Sequence, residues 1–331
     1  MPVNRTVQQS AWAITCFALA NIANQAAADS TELILAQNQS PISGVTMVAK
    51  ERGYFQDHDL DVEVASFTSG REALNSVLGG SAHIATTAES PTTAAAMSGQ
   101  PIAFLARTEY SDLKTLTRTD SEISSLSDLA GSDIGYASGT GSEVYTSVLL
   151  QEAGLDEDDV NLINMRPREM ISAIASGSID AFNIWEPHVA NAKESLGDTV
   201  QELDTEGVYS ETFNIVTMQQ YLDENPEVAR DFMRALLEAE SWIKDNREEA
   251  ITLIANAADM PRDTLAATWD EYVYNVTIDD FTIEILTKHA DWRIRSGNTP
   301  SDGAELPPFD EFIFPGPLRD VAPDRVTAEE L

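Results

Sequence analysis

One segment of the chain occurs twice, and this repeat limits the possible folds more than any single motif. Residues 71–83 align without a gap with residues 168–180, and the register continues so that Glu89 falls opposite Glu186. Each copy indicates a helix, a Gly-Ser turn, a buried strand and an acidic residue where the strand ends. Open α/β sheets bind ligands at the carboxyl ends of their strands. The repeat therefore predicts two similar lobes around a small ligand; chance similarity of two helix–turn–strand units is the alternative.

Apolar runs of strand length alternate with helical stretches, which indicates parallel α/β units. From Leu113 the alternation starts again, so we expect a second lobe over residues 113–214. The strand at 213–217 returns the chain to the first lobe, which is then discontinuous over 29–112 and 215–331. The runs that define the first lobe are Leu33–Ala36, Val62–Val64, Ile84–Thr87 and Ile102–Ala106.

Three further expectations concern helices and the end of the chain. Residues 45–55 form a helix that stops near Gly53, and the chain is helical from Pro226 onward because apolar residues recur at helical spacing. The proline-rich segment 307–331 is an extended wrap around the first lobe or a loose tail.

The N-terminus has the layout of a secretory signal peptide over residues 1–28. Arg5 precedes an apolar run at 11–20, and three alanines at 26–28 form a small-residue cleavage site. The apolar run is about half of the ~20 residues that a bilayer-spanning helix needs. The only cysteine, Cys16, lies in this segment, with too little hydrophobic chain before it to favour a lipid anchor. Cleavage would leave a soluble periplasmic chain without thiols.

Acidic residues outnumber basic residues 55 to 20, and the formal net charge is −35. A field of that sign repels nucleic acid and anionic membrane surfaces, so neither is an expected partner. Because the acidic residues are scattered over helix faces, we interpret them as a solvated surface suited to high salt, as in a halophilic protein. A docking face for a cationic partner is the alternative.

The loop at Ser138–Ser142 is small, polar and glycine-rich, and it precedes a predicted helix. Backbone N–H groups and the helix dipole at such a position favour an anion, for example a sulfonate, a carboxylate or nitrate. No Walker or dinucleotide fingerprint is present. An ordinary helix cap is the alternative.

Glu89 and Glu186 are the two acidic residues at the ends of the repeated strands. A carboxylate there can bind an ammonium group or accept a hydrogen bond from a ring N–H. The alternative is that each caps the helix that follows. Trp185 can stack on an apolar or cationic part of the ligand, or pack at a hinge.

No residue pattern predicts catalysis. The four histidines have no metal-ligand spacing, and no Ser–His–acid arrangement or nucleophile elbow is present. We therefore predict no enzyme activity, no metal site and no cofactor.

An ordered series of motifs over residues 32–290 resembles the nitrate/sulfonate/taurine-type periplasmic substrate-binding proteins of ABC importers. Gly53-Tyr54-Phe55 followed by Leu60-Asp61-Val62 resembles the family's opening, and Asp128-Leu129-Ala130-Gly131 resembles its entry into the second lobe. Residues 174–180 with Trp185-Glu186-Pro187 resemble the family's segment that ends in WEP.

The resemblance implies a type II periplasmic-binding fold, with two α/β lobes joined by two crossovers near residues 108–118 and 206–215. It also implies a monomer that closes over a small ligand and delivers it to a membrane permease with its ATPase. The ligand contacts that the resemblance implies are Gln37, Ser40, Ser69, Glu89, Ser90, Thr108, Thr140, Ser142, Asn183, Trp185, Glu186 and Asn214.

The family's ligands narrow the expectation further. Glu89 would repel a bare anion such as nitrate, which favours a zwitterion such as taurine or a nitrogen compound such as a pyrimidine. Among the arginines, only Arg107 lies near these loops. The scarcity of arginine disfavours a strongly bound dianion as the ligand.

Two alternative functions stay open. One is a same-fold enzyme such as a thiamine-pyrimidine synthase, whose cysteine-rich motif is absent here, and the other is a sensory binding module.

Overall fold

The computed structural model describes residues 31–299, 301 and 303–331. The predicted signal peptide and Cys16 lie outside the described residues. The described strands form two sheets. They are β1 (Thr31–Asn38), β2 (Leu60–Phe67), β3 (Ile84–Ala88), β4 (Ile102–Asp112), β5 (Lys114–Arg118), β6 (Asp133–Tyr136), β7 (Asn161–Asn164), β8 (Ala181–Ile184), β9 (Val200–Leu203), β10 (Ser210–Met218) and β11 (Val273–Thr277).

Helices cover both sheets, and several short 3₁₀ turns join the elements. The helices are α1 (Gly44–Glu51), α2 (Tyr54–Asp57), α3 (Gly70–Leu78), α4 (Glu89–Met97), α5 (Gly141–Glu152), α6 (Pro167–Ala175), α7 (His188–Leu196), α8 (Gln219–Glu224), α9 (Pro226–Asp245), α10 (Arg247–Ala257), α11 (Arg262–Thr268), α12 (Asp280–Arg295), α13 (Phe309–Phe312) and α14 (Gly316–Val321). None of these described helices combines the length and the apolar character needed to cross a membrane.

Each sheet belongs to one lobe. The first lobe has the strand order β11-β4-β10-β3-β1-β2, and the second has β7-β6-β8-β5-β9. The chain leaves the first lobe at Leu113, between β4 and β5, and returns along the segment 204–209 before β10, which belongs to the first sheet from Ser210 onward. Separate clusters of buried apolar side chains fill the two lobes. The expected bilobal α/β fold with two crossovers is confirmed.

The repeat found in the sequence occupies equivalent places in the two lobes. The segments α3–β3–α4 and α6–β8–α7 each contain a helix, a central strand and a second helix. β3 pairs in parallel with β1 and antiparallel with the crossover strand β10. β8 likewise pairs in parallel with β6 and antiparallel with the crossover strand β5. The two copies therefore present the ends of their strands to the space between the lobes.

The structure differs from the expected elements at two places. The helix expected over 45–55 is divided at Gly53, which has a φ of 82° and separates α1 from α2. The C-terminal part is not all helical, because β11 pairs antiparallel with β4. Tyr274 and Val276 are the buried residues that alternate with more exposed ones along β11. A burial period of two is typical of a strand. The apolar spacing of the surrounding sequence is helical, and the strand was therefore not predicted.

The segment after residue 307 wraps around the first lobe. Phe312, Ile313 and Leu318 are buried in the core of that lobe. Phe104 of β4 and Ile313 form an isolated parallel bridge. The C-terminal segment thus packs against β4 and α9 of the first lobe.

Candidate functional site

A cleft of about 890 Å³ lies between the lobes, and both lobes line it. The first lobe contributes loops that follow β1, β2 and β3, and the second contributes the loop before α5, the start of α6 and the segment after β8. These are carboxyl ends of strands, where open α/β sheets bind their ligands. The volume falls within the range of about 300–1,000 Å³ that is usual for small-molecule sites.

The predicted contact residues divide into two equal groups. Those that line the cleft are Ser40, Ser69, Ser90, Thr140, Trp185 and Glu186. Those that lie behind its wall are Gln37, Glu89, Thr108, Ser142, Asn183 and Asn214, and all of them are buried. Ligand contact by any of these residues stays a prediction.

Glu89 is fully buried at the start of α4, where it joins the first lobe to the second crossover. One carboxylate oxygen accepts a hydrogen bond from the Tyr209 hydroxyl, and the other accepts from the Thr212 N–H at 2.8 Å. Burial raises the pKa of Glu89, and the bonds from Tyr209 and Thr212 oppose that rise. Because both oxygens already have donors in the protein, this carboxylate holds β10 against α4.

Glu186 lines the cleft and also caps a helix. Its carboxylate accepts a hydrogen bond from the Ala190 N–H at 3.0 Å, in the first turn of α7. The Lys114 ammonium lies 3.9 Å away. Burial raises the pKa of Glu186, while the Ala190 bond and then the charge of Lys114 lower it. Beside it, the Trp185 ring meets the His188 ring edge-on, with the ring centroids 5.9 Å apart.

The glycine-rich loop uses several of its own polar groups to begin α5. The Thr140 hydroxyl accepts from the Ser142 N–H at 3.2 Å and donates to the Ala137 carbonyl at 2.7 Å. The Gly139 N–H donates to the Glu143 carboxylate at 2.7 Å. These bonds form an ordinary cap, while Ser138, Gly139, Thr140 and Gly141 still line the cleft.

The remaining predicted residues hold the backbone behind the cleft. The Asn183 side chain accepts from Thr115 at 2.7 Å and donates to Thr146 at 2.8 Å. The other contacts are Gln37 with Thr46, Thr108 with the Phe213 carbonyl, Ser142 with the Asn183 carbonyl, and Asn214 with the Thr87 carbonyl. This buried set keeps the strand ends in register.

The arginine expected near the site lies elsewhere. Arg107 is buried, its guanidinium pairs with Asp279 at 2.6 Å, and it stacks on the rings of Tyr110 and Phe281. Instead, Arg71 and Arg168 line the cleft. The Arg71 guanidinium donates to the Gly139 carbonyl, which joins α3 of the first lobe to the glycine-rich loop of the second.

Sequence reasoning also missed Ser111, Glu211 and Tyr272, which line the cleft. They lie on β4, on β10 and just before β11. These elements are outside the repeated helix–turn–strand units, from which the acidic site residues were predicted. A usable signal was an acidic residue close to an apolar run of strand length: Glu109 follows the run 102–106, and Glu211 precedes the run 213–217. Among the residues described, no group of three or more His, Cys, Asp or Glu side chains is arranged to hold a metal ion.

Comparison with known proteins agrees with this architecture. The sequence pattern of the NMT1/THI5-like family matches residues 41–250. A putative binding protein of Brucella abortus (strain 2308) is 27% identical over 216 residues, which cover 64% of this chain and 67% of that protein. A putative aliphatic sulfonates-binding protein of Bacillus subtilis (strain 168) is 25% identical over 269 residues, which cover 78% of this chain and 79% of that protein.

Among solved structures, the periplasmic aliphatic sulphonate-binding protein of Escherichia coli has the same fold. It superimposes with a TM-score of 0.73 at 19% sequence identity, over 86% of this chain and 92% of that chain. The periplasmic-binding-protein fold that the sequence motifs implied is therefore confirmed.

Proposed function

Because this chain belongs to the NMT1/THI5-like family, we propose that it is an exported substrate-binding protein of an ABC importer. It captures a small organic ligand between its lobes and delivers it to the permease and ATPase. Its relatives include proteins named as binding aliphatic sulfonates, taurine and formylaminopyrimidine, which supports a sulfonate, a taurine-like compound or another nitrogen-containing molecule as the ligand.

The cleft between the lobes carries this proposal. Both lobes line it, and its wall combines aromatic surface at Trp185 and Phe213 with the hydroxyls of Ser69 and Thr140. Sites for small molecules have this composition: apolar walls with a few polar groups that fix the orientation of the ligand. Within the described residues the chain passes between the lobes at two crossovers, so the lobes can close over a bound molecule by hinge motion.

A thermal-shift panel tests the proposal. The purified chain is screened in high salt against taurine, alkanesulfonates, nitrate, pyrimidines and simple amines. A ligand present at 100 times its dissociation constant stabilises the folded state by about 2.7 kcal/mol. We expect an organic sulfonate or nitrogen compound to raise the melting temperature; the absence of any effect across the panel would count against the proposal.

Two tryptophan variants locate the binding. Trp185→Ala removes a ring that lines the cleft and should reduce the ligand-induced shift. Trp242→Ala removes a ring on α9 that packs on the first-lobe core, and it should leave that shift unchanged. Equal loss in both variants would place binding outside the cleft.

Genes for an importer permease and ATPase beside this gene would favour transport over the sensory alternative. Turnover of a bound compound would favour the enzyme alternative.

A further inference from the structure

Glu211 is a carboxylate on the cleft wall for which the described residues provide no hydrogen-bond donor. It is partly buried on β10 and lines the cleft. Among the described residues, no donor lies within hydrogen-bonding distance of its carboxylate. The carboxylate faces the glycine-rich loop, since a Cβ placed on Gly141 would lie 3.4 Å from its Oε1. An acidic side chain thus occupies the space beside the start of α5, where an anionic ligand group would otherwise lie.

Two buried hydroxyls lie on the same wall. Ser111 lies opposite Glu211 in the pairing of β4 with β10. Ser111 is 3% exposed and Tyr272 is 6% exposed, and both line the cleft. The Ser111 hydroxyl has no hydrogen-bond partner among the described residues, whereas the Tyr272 hydroxyl lies next to that of Thr268 and still has a lone pair that can accept a hydrogen bond. Buried polar groups are normally paired, so such an unpaired group at a cleft marks a place where a ligand can supply the missing partner.

A second carboxylate makes this wall more acidic. Glu109 lies two residues before Ser111 on β4, is fully buried, and has no partner for either oxygen. Burial, followed by the charge of Glu211, raises the pKa of Glu109 well above its usual value. Burial and the charge of Glu89 raise the pKa of Glu211 well above its usual value as well. The charge of Arg107 lowers the pKa of Glu109 by less than burial and Glu211 raise it, so the wall is a cluster of acidic groups with several hydrogen-bond acceptors.

The arginines on the adjacent elements have recorded partners other than Glu211. Arg107 pairs with Asp279. Arg293 of α12 donates to the carbonyls of Ser90 and Asn298, and Arg71 donates to the carbonyl of Gly139. Burial favours the neutral form of Glu211, and a positive charge from the ligand, or movement of Arg71 or Arg168, which also line the cleft, would favour its ionised form.

We propose that this wall, formed by Glu211 with Ser111 and Tyr272, receives a protonated amino group of the ligand. An ammonium group has three N–H donors and a positive charge, which match one carboxylate and two hydroxyls. Glu109 is a second acidic group, buried behind the wall. The inference rests on the proposed function, and it narrows the ligand to a small amine whose remaining part lies toward Trp185 and the arginines.

Pairs of ligands that differ only in the amino group test the inference. The pairs are taurine with isethionate, and β-alanine with its hydroxy analogue. Affinities are measured by calorimetry at neutral pH in high salt. We expect the strongest binder to be an amine and its hydroxy partner to bind at least tenfold more weakly.

Variants connect this preference to the wall. Glu211→Gln should remove most of the preference for the amine, and Ser111→Ala should reduce it. Glu152→Gln makes the same charge change at an exposed position at the end of α5 and should leave the preference unchanged. Because Glu211 has no donor among the described residues, Glu211→Gln should fold with an unchanged or higher melting temperature.

The outcomes separate the two proposals. If hydroxy compounds bind as tightly as the amines, or if Glu211→Gln keeps the preference, the amine inference is wrong while a binding function stands. If no member of any pair binds and the wider panel also fails, the proposed function fails as well. A Glu211→Gln variant that unfolds would show a structural role and would likewise contradict the inference; Ser111→Ala then gives the independent measurement of the wall.

Discussion

At the scale of single residues, the two carboxylates Glu89 and Glu211 have different roles although they lie close together. Glu89 has donors for both oxygens, and Glu211 has none among the described residues. A buried carboxylate whose donors belong to the protein stabilises the fold, since hydrogen bonds to charged groups contribute about 1.5–3 kcal/mol each. A carboxylate without donors at a cleft is available to a ligand. The sequence positions alone favoured Glu89 as the contact.

The first prediction concerns Glu89. Glu89→Ala leaves the Tyr209 hydroxyl and the Thr212 N–H buried without an acceptor, so we expect a loss of about 2–4 kcal/mol in the free energy of unfolding. Urea denaturation measures it. Tyr209→Phe removes only one donor and should cost less. A Glu89→Ala variant of wild-type stability that no longer binds ligand would instead support direct contact with the ligand.

The second prediction concerns the pH dependence caused by Glu109. Its pKa is raised well above 4.5 in the folded state, so the folded chain keeps a proton that the unfolded chain releases as the pH rises. Below the unfolded-state pKa of Glu109, both states hold the proton and the free energy of unfolding does not depend on the titration of this group. Between the unfolded-state and the folded-state pKa, the free energy of unfolding decreases by up to about 1.4 kcal/mol per pH unit. Above the folded-state pKa the decrease ends.

Glu109→Gln removes that dependence. We expect the variant and the wild type to have similar unfolding free energies near pH 4.5 and the variant to be the more stable at pH 8. Urea denaturation across this range provides the measurement, with Glu152→Gln as the control. A difference that does not change with pH would contradict a titrating Glu109.

At the scale of elements, α12 connects the lobes in addition to the two crossovers. The helix belongs to the C-terminal part of the chain, and Thr282 near its start bonds Arg107 of β4. Near its end, however, Trp292 is 3% exposed within the apolar cluster of the second lobe. Arg293 bonds the Ser90 carbonyl of α4. The helix therefore contacts both lobes at the hinge.

The third prediction follows from Trp292. Replacing a buried tryptophan with alanine costs about 3–5 kcal/mol, and Trp292→Ala should lower the unfolding free energy by that amount. Hydrogen exchange should show the loss of protection in α5 of the second lobe, whose Tyr145 belongs to the same cluster. Trp292→Phe keeps most of the apolar surface and should cost less. Loss of protection confined to α9 would contradict the contact.

At the scale of the whole molecule, the net charge of −35 opposes the compact state. Many acidic side chains are exposed without an ion-pair partner, because acidic residues greatly outnumber basic ones. Repulsion between exposed charges is screened by salt, and the Debye length falls from about 10 Å at 0.1 M to about 3 Å at 1 M. The molecule is therefore expected to be more stable in concentrated salt.

The fourth prediction tests this expectation. The free energy of unfolding in urea should increase between 0.1 M and 1 M NaCl at pH 7. The increase should become smaller near pH 4, where most exposed carboxylates take up protons and the repulsion decreases. An equal gain at both pH values would indicate a general effect of salt on hydrophobic burial rather than screening.

The sequence by itself determined the α/β class, the two lobes and the edge of each sheet that faces the cleft. It could do so because apolar periodicity and the repeated helix–turn–strand unit are local patterns, and Glu186 at the end of β8 does line the cleft. The motifs that resembled the family covered most of the chain, and the family assignment they suggested is confirmed.

Only the tertiary structure decided which polar side chains face the cleft. Glu89 turned inward because Tyr209 and Thr212, more than a hundred residues away along the chain, supply its donors. Arg107 forms an ion pair with Asp279 and not with a ligand group in the cleft. Glu211 and Ser111 are neighbours because β4 and β10 pair antiparallel. Hydrogen-bond partners at such sequence separations are set by strand pairing and lobe packing, and no local pattern records them.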